Sequence, residues 1–174
     1  MTLWLLRLVL QISGGSCLGI PVLQLSKGTA TLSLMGRCVG HLRRILVADD
    51  HTVVRGGICA LLRAEPDFDV VCDVADGTQA VAKAEELQPD IVVLDITMPG
   101  MSGFEAARRI RNIAPTAEIL FLSQHDTVET IRQAFQIGGR GYVVKSDAAK
   151  ELVAAIRSII QKTRYVNARF VAYL

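Results

Sequence analysis

Between residues 41 and 162 the chain alternates short, wholly apolar runs with longer stretches that are apolar on one side only. The compact runs are 45–48 (Ile-Leu-Val-Ala), 68–75 with Val70, Val71 and Val74, 91–94 (Ile-Val-Val-Leu), 118–122 and 141–144. Bounded apolar runs rich in β-branched residues predict strands buried on both faces of a parallel sheet. The intervening stretches predict helices. Residues 53–62 place Val54, Ile58, Leu61 and Leu62 at helical spacing, and Pro66 closes them. Residues 78–87 are alanine-rich and end before Pro89, and 103–114 put Phe104, Ala107 and Ile110 on one side until Pro115. A fourth helix, 127–137, ends at Gly138-Gly139, and a last one carries the stripe Leu152, Ala155, Ile156, Ile159 and Ile160. Ser102 suits the N-cap of the third helix and Ser146 or Asp147 that of the fifth, while Asp76-Gly77 reads as a turn. Five strands alternating with five helices predict an α/β chain, a doubly wound five-stranded parallel sheet flanked by five helices.

The ends of the chain do not follow this pattern. Residues 1–42 read as a flexible N-terminal extension, with Met35 as an alternative start, 43–162 as the folded domain, and 163–174 as the start of a linker or short tail. The apolar run 3–12 is too short to span a bilayer, contains Arg7, and lacks the basic start of a signal peptide. No membrane association is expected. Three of the 19 basic residues and none of the 17 acidic ones lie in residues 1–40, which leaves 16 basic against 17 acidic in the remainder. By composition that body is no basic nucleic-acid binder. Cys17, Cys38, Cys59 and Cys72 form no C-x-x-C pair, so neither a zinc site nor a disulfide scaffold is indicated, and a reducing cytoplasm is the expected location.

Chemistry enters where the apolar runs stop. Four of them end in Asp49-Asp50, Asp95, Ser123 and Lys145. In a parallel sheet these ends share one edge, so residues distant in sequence converge there. Clustered carboxylates repel, and a hard divalent cation such as Mg²⁺ relieves the repulsion. A lysine and a hydroxyl can each serve a further phosphoryl oxygen, which together describes a phosphoryl-transfer site.

Three stretches carry a resemblance: Ile-Leu-Val-Ala-Asp-Asp-His at 45–51, Val-Val-Leu-Asp-Ile-Thr-Met-Pro-Gly-Met-Ser-Gly at 92–103, and Gly-Gly-Arg-Gly-Tyr-Val-Val-Lys-Ser-Asp-Ala at 138–148. With them the chain resembles the receiver domain of two-component response regulators, of the LuxR/NarL-type subfamily, with its flavodoxin-like fold. The resemblance implies that Asp95 is the phosphoacceptor. It makes Asp50 the main metal ligand, Asp49 its partner through water, and the Thr97 backbone carbonyl a further ligand for Mg²⁺. It casts Ser123 and Tyr142 as the switch pair and Lys145 as the phosphoryl partner. It also implies a sensor histidine kinase as donor, a homodimer or partner interface on the fourth helix, fifth strand and fifth helix, and a role in transcription regulation. The subfamily continues into a helix-turn-helix, whereas 163–174 is short and holds two basic residues, so no direct DNA binding is expected of this chain.

Other functions fit the same residues less well. A haloacid-dehalogenase-type phosphatase would want an acid where Thr97 stands. No G-x-x-x-x-G-K-[ST] or G-x-G-x-x-G follows a strand, which removes the common nucleotide enzymes. A receiver acts on its own aspartate and is not a dedicated enzyme. The remaining alternative is a pseudo-receiver, an interaction module independent of phosphorylation. His51 and His125 read as solvated loop residues beside the site, and Arg108, Arg109 and Arg111 as a solvated basic stripe.

Overall fold

The computed structural model describes the backbone of residues 22–26, 29–33 and 42–173. The chain divides into two units, residues 1–40 and 41–174. In the first, Val22–Ser26 pairs with Thr29–Ser33 as a two-stranded antiparallel sheet, in a stretch where the sequence shows no sustained period. The rest of the predicted extension lies outside the described residues.

The second unit runs β1 (Arg43–Ala48), α1 (Thr52–Arg63), β2 (Phe68–Val74), α2 (Gly77–Leu87), β3 (Ile91–Asp95), α3 (Gly103–Ile113), β4 (Glu118–Ser123), α4 (Val128–Gln136), β5 (Gly141–Val144), α5 (Ala148–Ile160) and β6 (Tyr165–Val166). All pairings in this sheet are parallel and the order is β2-β1-β3-β4-β5-β6. The doubly wound α/β class therefore stands, with one correction: the sheet has six strands, not five. The sixth arises in residues that read as a tail. Two residues are too few to show a period, and this strand exists because it pairs along the edge of β5 at Gly141 and Tyr142.

Alternation along each strand sorts the core into two faces. Leu46, Ala48, Val92, Leu94, Ile119, Phe121, Tyr142 and Val144 meet Ala80, Ala84, Ala106, Ala107, Ile110, Ile131 and Ala134 of α2, α3 and α4. Ile45, Val47, Ile91, Val93, Leu120, Leu122 and Val143 meet Ile58, Leu62, Leu152, Ala155, Ile156 and Ile159 of α1 and α5. Burial on both sides explains why the middle of these strands is apolar and their polar residues stand at the strand ends. Cys59 joins the second face and Cys72 packs against the first, as small core side chains.

Caps set the helix starts. Ser102 accepts from the Glu105 amide at 3.3 Å and Thr127 from the Thr130 amide at 3.4 Å. Asp76 is not a turn residue but the N-cap of α2, accepting from the Gln79 amide at 2.8 Å, with Gly77 already helical. Asp147 stands at the N-cap of α5 without capping it through its side chain. Among the described residues no helix is long and apolar enough to cross a membrane.

Candidate phosphoryl-transfer site

β3 lies between β1 and β4, and β5 follows β4, so the carboxyl ends of four strands meet at one edge. Register sets Asp95 opposite Leu122 and Ser123 opposite Val144. Asp49 is 1% exposed, Asp95 2% and Ser123 fully buried. The turn after β3 is held tightly: the Gly103 amide donates to the Ile96 carbonyl at 2.9 Å, and a Cβ at Gly103 would lie 1.9 Å from the Asp95 carbonyl oxygen. Only glycine allows α3 to start this close to the strand that carries Asp95.

Lys145 organises the pocket. Its Nζ donates to Asp95 Oδ2 at 2.7 Å and lies 2.7 Å from Asp49 Oδ2. Burial penalises this ammonium, but its bonds to and attraction by Asp49 and Asp95 outweigh the penalty and hold it above the ordinary lysine value. Burial pushes the Asp95 carboxyl up. Lys145 and the Thr97 amide, which donates to Asp95 Oδ1 at 3.2 Å, pull it back only in part, so it stays above the ordinary aspartate value.

Asp49, Asp50, Asp95 and His51 can each bring one ligand atom to within 4.8 Å of all the others. Asp49 Oδ2 and Asp50 Oδ1 are buried. The first lies 2.7 Å from the Lys145 ammonium, and the second lies 2.6 Å from His51 Nδ1. Three carboxylates around one ammonium leave two negative charges, the charge of one divalent cation. The all-oxygen character of the aspartates suits a hard ion such as Mg²⁺. Asp50 and Asp95 can supply direct ligands, with Asp49 behind them. Thr97 lies in the loop two residues past Asp95, and its amide is the part seen to engage the site.

Ser123 and Tyr142 bond each other through their side chains and also connect through His125. The His125 amide donates to Ser123 Oγ at 3.0 Å, and the Tyr142 hydroxyl donates to the His125 carbonyl at 2.7 Å. The tyrosine is fully buried, and burial raises its phenol above the ordinary value. The Ser123 hydroxyl accepts from His125 and keeps its own hydrogen to donate. His51 and His125 are exposed loop residues as read from sequence, yet both engage the site, His125 also reaching Thr97 Oγ1 at 3.4 Å. Arg111 departs from a solvated stripe, because it is half-buried and donates to the carbonyls of Ala117 and Gly138.

This arrangement of an acidic strand-end pocket closed by one lysine agrees with the comparisons. Residues 45–157 match the response regulator receiver domain, so the chain belongs to the receiver domain family of two-component response regulators. Over 132 residues it is 36% identical to the oxygen regulatory protein NreC of Staphylococcus epidermidis, a match covering 75% of this chain and 61% of that protein. Over 124 residues it is 35% identical to the transcriptional regulatory protein DegU of Brevibacillus brevis, covering 71% of this chain and 52% of that one. The chain thus spans between about half and three fifths of these relatives' length. Among solved structures, a LuxR-family two-component response regulator from Aurantimonas sp. SI85-9A1 superposes with a TM-score of 0.72 at 38% identity, covering 75% of this chain and 94% of that one. The LuxR/NarL-type placement made from the sequence stands with these relatives.

Proposed function

We propose that this chain is a phosphoacceptor receiver that takes a phosphoryl group onto Asp95. The observation that carries the reading is the Lys145 ammonium held 2.7 Å from carboxylate oxygens of both Asp49 and Asp95, in a pocket that retains two uncompensated negative charges. The donor is the phosphohistidine of a sensor histidine kinase. An Asp95 oxygen attacks phosphorus, the phosphorus–nitrogen bond breaks, and the leaving imidazole takes up a proton. Lys145 then neutralises one phosphoryl oxygen and the Ser123 hydroxyl donates to another. Asp50, Asp95 and the Thr97 carbonyl would hold Mg²⁺, with Asp49 acting through water, and the bound ion would supply further neutralisation of the phosphoryl charge. The protein acts on its own aspartate, later losing the phosphoryl group to water, and is not a dedicated enzyme.

The output follows from the link between Ser123 and Tyr142. When the Ser123 hydroxyl turns to the phosphoryl group, its bond from His125 is disturbed, and the carbonyl of the same residue holds Tyr142. That change reaches the α4-β5-α5 face, where a second copy or a partner is expected to bind, in a cytoplasmic pathway that controls transcription. The test is intact-protein mass spectrometry after treatment with acetyl phosphate and Mg²⁺. One phosphoryl adduct is expected, absent in Asp95→Asn and in excess EDTA. A folded protein with no adduct would instead be a pseudo-receiver, an interaction module independent of phosphorylation.

A further inference from the structure

Asn167 lies beyond the matched receiver stretch 45–157 and is 2% exposed. Its carboxamide is used at both ends. Oδ1 accepts from the Val144 amide at 3.3 Å, while Nδ2 donates to Asp147 Oδ2 at 3.1 Å and to Glu151 Oε2 at 2.5 Å. A backbone donor on one side and two carboxylates on the other fit only this orientation of the amide. Neighbouring tail residues grip the same acids: Tyr165 donates to Glu151 at 3.0 Å and Arg169 lies 3.2 Å from Asp147. β6 stops at Val166, opposite Tyr142, and the Asn167 side chain extends the pairing to Val144.

The residues gripped by Asn167 bracket Lys145. Val144 immediately precedes it, and Asp147 ends the 3-10 turn Lys145–Asp147 in which it stands. From that backbone the lysine reaches Asp95. Removing the amide would leave the buried Val144 N–H without its side-chain acceptor and set the half-buried Asp147 and Glu151 face to face with fewer donors.

We propose that Asn167 is a positioning residue for Lys145, so that docking of residues 165–170 on β5 and phosphoryl occupancy of Asp95 are coupled. The proposal rests on the receiver reading above. Coupling of this kind is reciprocal: whatever the tail does to the lysine, the phosphoryl group does to the tail. The competing role for Asn167 is to fasten the tail and nothing more. Tyr165→Phe separates the two, because it removes a tail bond to Glu151 without touching Val144 or Asp147.

The experiment uses the whole chain. The rate of Asp95 adduct formation is followed by intact mass over a range of acetyl phosphate concentrations with Mg²⁺, in wild type, Asn167→Ala and Tyr165→Phe. Asn167→Ala is expected to lower the maximal rate about tenfold, with half-saturation moved less than about twofold, and Tyr165→Phe to stay within about twofold of wild type. In wild type, phosphorylation is expected to change amide hydrogen exchange at Val144 and across 165–170. If Asn167→Ala proves poorly folded, Asn167→Asp keeps the size and the acceptor for Val144 but sets a third carboxylate beside Asp147 and Glu151, and the same slowing is expected. Equal rates in Asn167→Ala and Tyr165→Phe, or a wild-type rate in a folded Asn167 variant, would overturn the proposal alone. Absence of any adduct on wild type would overturn the receiver reading and this proposal together.

Discussion

The sheet buries carboxylates at both of its ends, and the two ends treat them oppositely. At the start of β4, Glu118 is met by Lys162 at 2.9 Å and Arg140 at 3.3 Å, with Arg111 at 3.8 Å. Burial pushes its carboxyl up, but the bonds and charges of Lys162 and Arg140 outweigh burial and hold it below the ordinary glutamate value. At the other end, Asp95 shares one lysine with Asp49, and burial keeps it above the ordinary aspartate value. Both ends sit on the same strands, so the fold alone does not explain the contrast. A carboxylate that only holds structure is given cations until it is satisfied. The Asp95 end, which under the proposed function receives a cation and a phosphoryl group, is left short of positive charge.

That contrast predicts where added cations act. Mg²⁺ at about a hundredfold over its Kd should stabilise the wild type by about 2.7 kcal/mol, the mass-action value for a ligand bound only by the folded state. The response should disappear in Asp50→Asn and survive in Glu118→Gln. Thermal unfolding across a MgCl₂ series reads this directly, and an undiminished response in Asp50→Asn would remove the acidic pocket as the cation site.

Next in size is the effect at Glu118. Glu118→Gln at neutral pH should cost about 2 kcal/mol, since hydrogen bonds to a charged group are the stronger kind and the amide offers Arg140 only a neutral acceptor. Lys162 is largely exposed and contributes little of this. The pH dependence has a definite sign. Because the folded carboxyl titrates below its unfolded value of 4.5, its contribution is fully present above that pH and is lost as pH falls through the folded value. Urea unfolding from pH 7 down to about 3 should show the gap between wild type and Glu118→Gln closing on the acid side. A gap that is constant with pH would mean that Glu118 acts through packing instead.

Much of the acidic end was legible in the sequence, and little of the other end was. Asp49, Asp95, Ser123 and Lys145 stand where apolar runs stop, and the middle of a strand buried on both faces has no place for a polar residue. Strand order then converts four separate stops into one pocket. Glu118 gives no such signal, because its partners Arg140 and Lys162 are set by tertiary approach and not by spacing. Arg111 misleads for the same reason, since a helical stripe of arginines does not reveal that one of them turns toward Gly138. Asp76-Gly77 is locally ambiguous: the pair that makes a turn also makes an N-cap followed by a first helical residue, and only the helix behind it decides. β6 was illegible because a two-residue strand has no period, and Asn167 finds its partners on β5, the turn after it and α5.

The smallest predicted effect is also the sharpest test of the contrast, because its sign is unusual. In excess EDTA, Asp50→Asn should be more stable than wild type by about 0.5 kcal/mol. Asp50 lies in a cluster with Asp49 and Asp95, its Oδ1 is buried, and its close neighbour is the exposed His51 ring, Nδ1 at 2.6 Å. Removing its charge therefore relieves repulsion and gives up little attraction. The side chain is 29% exposed, so water screens part of the repulsion and keeps the gain small. Most substitutions destabilise, and a carboxylate removed from a satisfied cluster does so reliably, as Glu118→Gln should in the same buffer. Opposite signs for the two variants, measured by urea unfolding side by side, would show that excess negative charge is built into the Asp95 end of the sheet and excluded from the Glu118 end. A destabilised Asp50→Asn would mean that the contact with His51 outweighs the repulsion among the carboxylates, and the cation would then have to displace that imidazole before it could bind.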